Sequence, residues 1–230
     1  MDWDGFGNKL QIKQINMEAK KFIGSKKEIV FLYIIFLVGI VGHLYGPLQK
    51  LMILLTPVTL LITGVIVLVY SYQNSANKFL IWSALTYIIT FILEVIGVKT
   101  GLIFGEYSYG STLGIKLFEV PLIIGFNWVF VILGSISIAR LITGNIFLSA
   151  IISAVIASLF DLILEPVAIR LDYWSWTAGI IPLQNYFAWF VIALVSAFGF
   201  SYLNVKVISK ISLHYILIQY VFFVALLIFY

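Results

Sequence analysis

The sequence has no cysteine, only two histidines and few charges. Without cysteine there is no disulfide, no thiolate nucleophile, no iron–sulfur cluster and no cysteine-based zinc site. The histidines are His43 and His214. Membrane di-iron hydroxylases and desaturases need many more. A bis-histidine haem needs two at comparable depth, whereas these are expected on opposite sides of a membrane. Charged residues make up 10% of the 230 positions, against about 25% in soluble domains. With 62% hydrophobic residues and a mean hydropathy of +1.10, the chain cannot coat a water-facing surface. Soluble globular and disordered classes are excluded. The formal net charge is +4, but six of the lysines precede Glu28. No folded basic patch with interleaved aromatics points to nucleic acid. No P-loop or dinucleotide fingerprint follows a strand.

Long apolar runs are present instead. A membrane-spanning helix needs about 20 apolar residues. Seven runs approach or meet that length: Ile29–Tyr45, Leu51–Tyr70, Phe79–Val98, Val120–Ala139, Ile146–Ala168, Tyr186–Val205 and Ile211–Tyr230. The first is long for a signal peptide and no small-x-small cleavage site follows it, so it is read as a retained span. Gly46-Pro47, Ser71–Lys78, Thr143-Gly144-Asn145 and Ser209-Lys210 punctuate the breaks. The expected fold is an all-α polytopic membrane protein: a basic N-terminal tail over residues 1–27 and one transmembrane helical domain over 28–230. With the N-terminus cytoplasmic, the inner segments hold the six tail lysines, Lys78, Arg140, Lys206 and Lys210. The outer segments hold only Lys50, Lys99, Lys116 and Arg170. This bias places the N-terminus inside and the C-terminus outside.

Two connections are long, Lys99–Glu119 and Ile169–Asn185, and both fall on the expected outer face. They carry Tyr107, Tyr109, Tyr173, Trp174 and Trp176 among glycines. Such rings form interfacial belts. Their concentration in both long loops of one face favours a lid over a site.

Three carboxylates lie within spans: Glu94, Asp161 and Glu165. Each costs about 2.5–3.5 kcal/mol near a helix centre and needs a partner, a wet cavity or a proton. Counting the helical rise puts Glu94 and Asp161 roughly 22 Å above the inner surface and Asn127 roughly 10 Å below the outer one. In a core about 30 Å thick these are similar depths. Asp161 and Glu165, four apart, share one helix face. Pro166 is expected to end or kink the helix and leave Glu165 at the mouth of the site. Two carboxylates so close in a low dielectric do not both ionise readily. A carboxyl group that keeps its proton is what general acid catalysis uses. Lys99 and Arg170 serve either as anchors or as partners for the acids. Glu106, Glu119 and Asp172 read as solvated, and His214 as structural. The last span has no lysine for a retinal Schiff base. The residues therefore point to acid–base chemistry with no metal or nucleotide cofactor.

Several stretches resemble a known family. They are Glu94-Val95-Ile96-Gly97-Val98-Lys99-Thr100-Gly101, continuing to Tyr107-Ser108-Tyr109; Val120-Pro121-Leu122 with Asn127-Trp128; Asp161-Leu162-Ile163-Leu164-Glu165-Pro166; Tyr173-Trp174-Ser175-Trp176; and Ile181-Pro182-Leu183-Gln184-Asn185 through Trp189. Together they are similar to the membrane carotenoid end-group hydratases, carotenoid biosynthesis proteins that include the bisanhydrobacterioruberin and γ-carotene hydratases. The likeness covers roughly residues 94–189. It implies a bacterial or archaeal cell membrane and a lycopene- or γ-carotene-like substrate. It also implies water addition to a terminal isoprenoid double bond to give a tertiary alcohol, and other carotenoid-pathway enzymes as partners.

On that chemistry, Asp161 or Glu94 donates the proton. Trp128, Tyr107, Tyr109, Trp174, Trp176 and Trp189 steady a carbocation with their ring faces. The other of those two carboxylates, or Glu165, with Asn127 and Asn185, orients and deprotonates the water. Two other readings fit the same residues. A membrane lycopene cyclase would quench the cation by ring closure, and a carotenoid or lipid transporter or binding protein would use the acids without protonating carbon.

Overall fold

The computed structural model describes residues 26–72, 76–205 and 210–230. Among these residues are seven helices long and apolar enough to cross a membrane. They are α1 (Lys26–Leu44), α2 (Gly46–Ser71), α3 (Ala76–Thr100), α4 (Leu122–Ile142), α5 (Ile146–Arg170), α6 (Leu183–Tyr202) and α7 (Ile211–Phe229). The expected N-terminal tail lies outside the described residues up to position 25; Lys26 and Lys27 already belong to α1.

Local chemistry accounts for several of the ends. Pro47 occupies the first turn of α2, where a missing N–H costs nothing. The Asn145 side chain accepts the Leu148 N–H at 3.0 Å and caps α5. Proline does not end α5: the helix runs through Pro166 to Arg170. The expectation that the helix ends at Pro166 is therefore corrected. Proline removes one N–H from the ladder, and packed membrane helices tolerate that loss.

Packing follows side-chain size. α4 sits at the centre of the bundle, with an unbroken buried run from Trp128 to Ile136, and it touches α2, α3, α5, α6 and α7. α5 packs most extensively on α6. α5 buries the small residues Ser149, Ala150, Ser153, Ala154 and Ala157, and α6 buries Ala193 and Ala197; small side chains let helix backbones approach closely. α1 and α2 are peripheral, and leucines and valines such as Leu37, Val41, Leu54 and Leu61 are exposed on them, as a lipid-facing surface requires.

The two long loops do more than cover the bundle. Tyr107–Tyr109 (β1) pairs antiparallel with Trp174–Trp176 (β4), in the register Tyr107 with Trp176, Ser108 with Ser175 and Tyr109 with Trp174. A second, very short hairpin joins Lys116–Leu117 (β2) to Val120–Pro121 (β3). Strand side chains alternate faces, so the four rings of β1 and β4 point into the bundle while Ser108 and Ser175 face out. Gly105, just before β1, has φ +109°, a region open to glycine. A Cβ there would also run into Trp176 and Pro182. Asp172 is not a merely solvated loop residue: its carboxylate accepts the Ser111 N–H at 3.1 Å and the Ser111 hydroxyl at 3.3 Å, tying one loop to the other.

Candidate active site

The β1–β4 ladder holds four polar ring atoms over two buried carboxylates. Glu94, on the last third of α3, accepts three hydrogen bonds. Its Oε2 takes the hydroxyls of Tyr107 at 2.5 Å and Tyr109 at 2.7 Å. Its Oε1 takes the indole N–H of Trp128, on α4, at 2.8 Å. Glu165, on α5, accepts the indole N–H groups of Trp174 at 3.0 Å and Trp176 at 2.9 Å on one oxygen. Its other oxygen takes the amide of Asn185, from the first turn of α6, at 3.2 Å. The same amide nitrogen donates to Asp161 at 2.6 Å. Asp161 is fully buried, and its second oxygen has no partner among the described residues.

Among the described residues, every hydrogen-bond donor to these three carboxylates is neutral. The two basic residues weighed as partners lie elsewhere: Lys99 sits 5.2 Å from the centre of the Phe118 ring, and Arg170 is exposed. Hydrogen bonds to a charged acceptor contribute about 1.5–3 kcal/mol each. Three of them on Glu94 offset an insertion cost of about 2.5–3.5 kcal/mol. Burial first, and then the Glu94 charge beside them, push the hydroxyls of Tyr107 and Tyr109 above the usual tyrosine range, so both remain donors.

Next to these groups lies a cavity of about 340 Å³, within the roughly 300–1,000 Å³ of small-molecule sites. Glu94, Tyr107, Tyr109, Asn127, Trp128, Glu165, Trp174, Trp176, Asn185 and Trp189 all line it. Trp128 and Trp189 stack with centroids 3.8 Å apart and planes at 28°, forming one aromatic wall. Asn127 is half-buried on α4. Asp161 is the one expected site residue that does not reach the cavity; it stands behind Asn185 and Glu165. Glu165 is not at an exposed mouth. It is 1% exposed and lies within α5 rather than at its end, with the two tryptophans of β4 donating to it from above.

Sequence reasoning gave no site role to several lining residues, among them His43, Thr56 and Gln219; Tyr173, which it read as part of a possible lid, also lines the cavity. For His43 and Gln219 a signal was available: each is a polar side chain inside an otherwise apolar span, the same pattern that marked the acids.

Helices, strands and buried acids together define a polytopic membrane protein with a cavity lined by carboxylates and aromatic rings. Residues 55–230 match the family described as carotenoid biosynthesis protein, and the chain belongs to that family. The match begins within α2 and runs to the last residue, well beyond the stretch in which the motifs were recognised. The bisanhydrobacterioruberin hydratase of Haloarcula japonica is 30% identical over 120 residues, which is 47% of this chain and 41% of that protein. The chain thus spans about two fifths of the length of this curated relative. No solved structure matches.

Proposed function

We propose that the protein hydrates a terminal isoprenoid double bond of an acyclic carotenoid end group, giving a tertiary alcohol without a cofactor. The observation that carries this reading is the placing of Glu94 and the Asp161–Glu165 pair, all held by neutral donors, beside one ring-walled cavity. The family to which the chain belongs and the name of its Haloarcula relative support it.

The roles follow from access and from donor counts. Asp161 and Glu165 are bridged by one neutral amide, and two such carboxylates without a cation hold a proton between them. Glu165 faces the cavity and delivers that proton; Asp161, behind it, is a positioning residue that keeps the pair supplied. The proton adds to the CH carbon of the terminal C=C, and the positive charge falls on the dimethyl carbon. Glu94, fixed by three donors, supplies a negative charge preorganised near that cation. The faces of Trp128, Trp189 and the β1–β4 rings add cation–π attraction, about 2 kcal/mol when desolvated. Water, oriented with the help of Asn127, attacks the cation and loses a proton. The atoms balance as carotene plus one water. An extended carotene is about as long as the hydrocarbon core is thick, about 30 Å, so one end reaches the site while the rest stays among lipid tails.

Pigment mass in a carotene-producing host, with and without the gene, tests the reading. Hydration adds one water per reacting end. A cyclase leaves the mass unchanged, and a transporter or binding protein leaves the pigment itself unchanged.

A further inference from the structure

The wall of the cavity formed by α1, α2 and α7 carries a group that the acid chemistry does not use. His43 lies near the end of α1 and is 5% exposed. Its Nδ1 lies 2.7 Å from the carbonyl oxygen of Gly39, one turn earlier. A carbonyl only accepts, so the ring proton sits on Nδ1 and Nε2 keeps a free lone pair. That Nε2 is buried and has no hydrogen-bond partner among the described residues. His43 nevertheless lines the cavity shared with Glu94 and Glu165. Its ring is held edge-to-face against Phe222 with centroids 5.5 Å apart, and a Cβ at Gly39 would press on the same phenylalanine. The orientation is thus fixed on both sides. Buried polar atoms are almost always satisfied in folded proteins, and an unsatisfied one calls for water or a ligand. A basic nitrogen of set tautomer, unpaired on a residue that lines the cavity, suits a water that must lose a proton.

We infer that His43 is the base of the reaction: its Nε2 holds the nucleophilic water and takes the proton that this water releases as its oxygen bonds to the tertiary cation. The inference rests on the hydration reading above. In the step, the water oxygen forms a bond to carbon, one O–H bond breaks, and the proton moves to Nε2 to leave an imidazolium. The imidazolium then returns the proton through solvent to the Asp161–Glu165 pair, so no group is consumed. Acid and base are thereby divided between the two walls of one chamber: the carboxylates under the β1–β4 ladder, and the imidazole on α1.

The test uses the full chain in lipid nanodiscs with an acyclic carotene in deuterium oxide, comparing wild type with His43→Asn and His43→Gln. Asparagine and glutamine keep a polar group at the position but no basic nitrogen. Two signals are read: alcohol formed, and deuterium in the end group of recovered carotene, which reports protonation followed by reversal. Alcohol formation is expected to fall about 100-fold or more while deuterium still enters recovered carotene, because the acid is intact. Free imidazole is expected to restore part of the alcohol formation in His43→Ala. Wild-type alcohol formation in both the Asn and Gln variants overturns the inference and leaves the hydratase reading standing. Loss of deuterium entry together with alcohol, in variants that melt as wild type does, also overturns it, since the residue would then serve the protonation step. A wild-type protein that gives neither signal overturns the hydratase reading itself, and the role of His43 with it.

Discussion

Tyr107 and Trp176 face each other across the β1–β4 ladder, rings 5.2 Å apart, yet they bind different acids. Tyr107 donates to Glu94 on α3 and Trp176 to Glu165 on α5. The next pair repeats the division, Tyr109 to Glu94 and Trp174 to Glu165. A three-residue ladder therefore sets the spacing of two carboxylates from separate helices, and its stability is coupled to that of the site.

Removing single donors should expose that coupling. Tyr107→Phe or Tyr109→Phe removes one hydrogen bond to a buried carboxylate, an expected loss of about 1.5–3 kcal/mol. In detergent melts both variants should unfold earlier than wild type, and Ser108→Ala, on the outward face, should not. Equal stability of all three would show that the ladder does not hold Glu94.

Asp161→Asn separates chemistry from folding. The new amide oxygen can keep accepting from Asn185, while its NH₂ takes the place of the oxygen that has no partner. Expression and melting should stay near wild type and turnover should fall about 10²–10⁴-fold, the range of lost acid catalysis. Product formation at the wild-type rate would remove Asp161 from the proton path.

Glu94→Gln removes charge but leaves the hydroxyls of Tyr107 and Tyr109 free to rotate and accept. Trp128 can only donate, so the amide oxygen must face it. The expected outcome is a folded protein with normal carotene binding and strongly reduced turnover. Unchanged turnover would exclude an electrostatic role for this carboxylate.

The membrane orientation expected from lysine and arginine bias can be read with a single cysteine, since the chain has none of its own. Gly110 is a poor position for it: a Cβ there would run into the backbone carbonyl and side chain of Asp172. Ser108 is exposed on the outward side of β1. Ser108→Cys should react with an impermeant maleimide added outside intact cells. Labelling only after the cytoplasmic side is opened would reverse the orientation.

The spans were legible because hydropathy integrates over some twenty residues, and the structure's helices fall on the same seven runs. The acids were legible for the related reason that an ionisable group in an apolar run is costly. The strands were not read as strands. Tyr-Ser-Tyr and Trp-Ser-Trp each show the period-two alternation of a strand, but three residues are too few to distinguish it from a loop, and the partner lies 67 residues away in the ladder. The helix end expected at Pro166 from proline's local preference is absent: α5 continues to Arg170, as a packed membrane helix can when only one N–H is lost. His43 entered the sequence reading only as one of two histidines on opposite sides of the membrane, with no role in the site. Its significance depends on which ring nitrogen faces the Gly39 carbonyl, and no sequence pattern discloses that.

The most direct test of the central claim is the fate of oxygen. Purified protein in liposomes, given an acyclic carotene in heavy-oxygen water, should yield a tertiary alcohol carrying the heavy oxygen, and Glu165→Gln should yield about 10²-fold less or lower. A cyclised product of unchanged mass, or a hydroxyl that carries no label, would contradict the account.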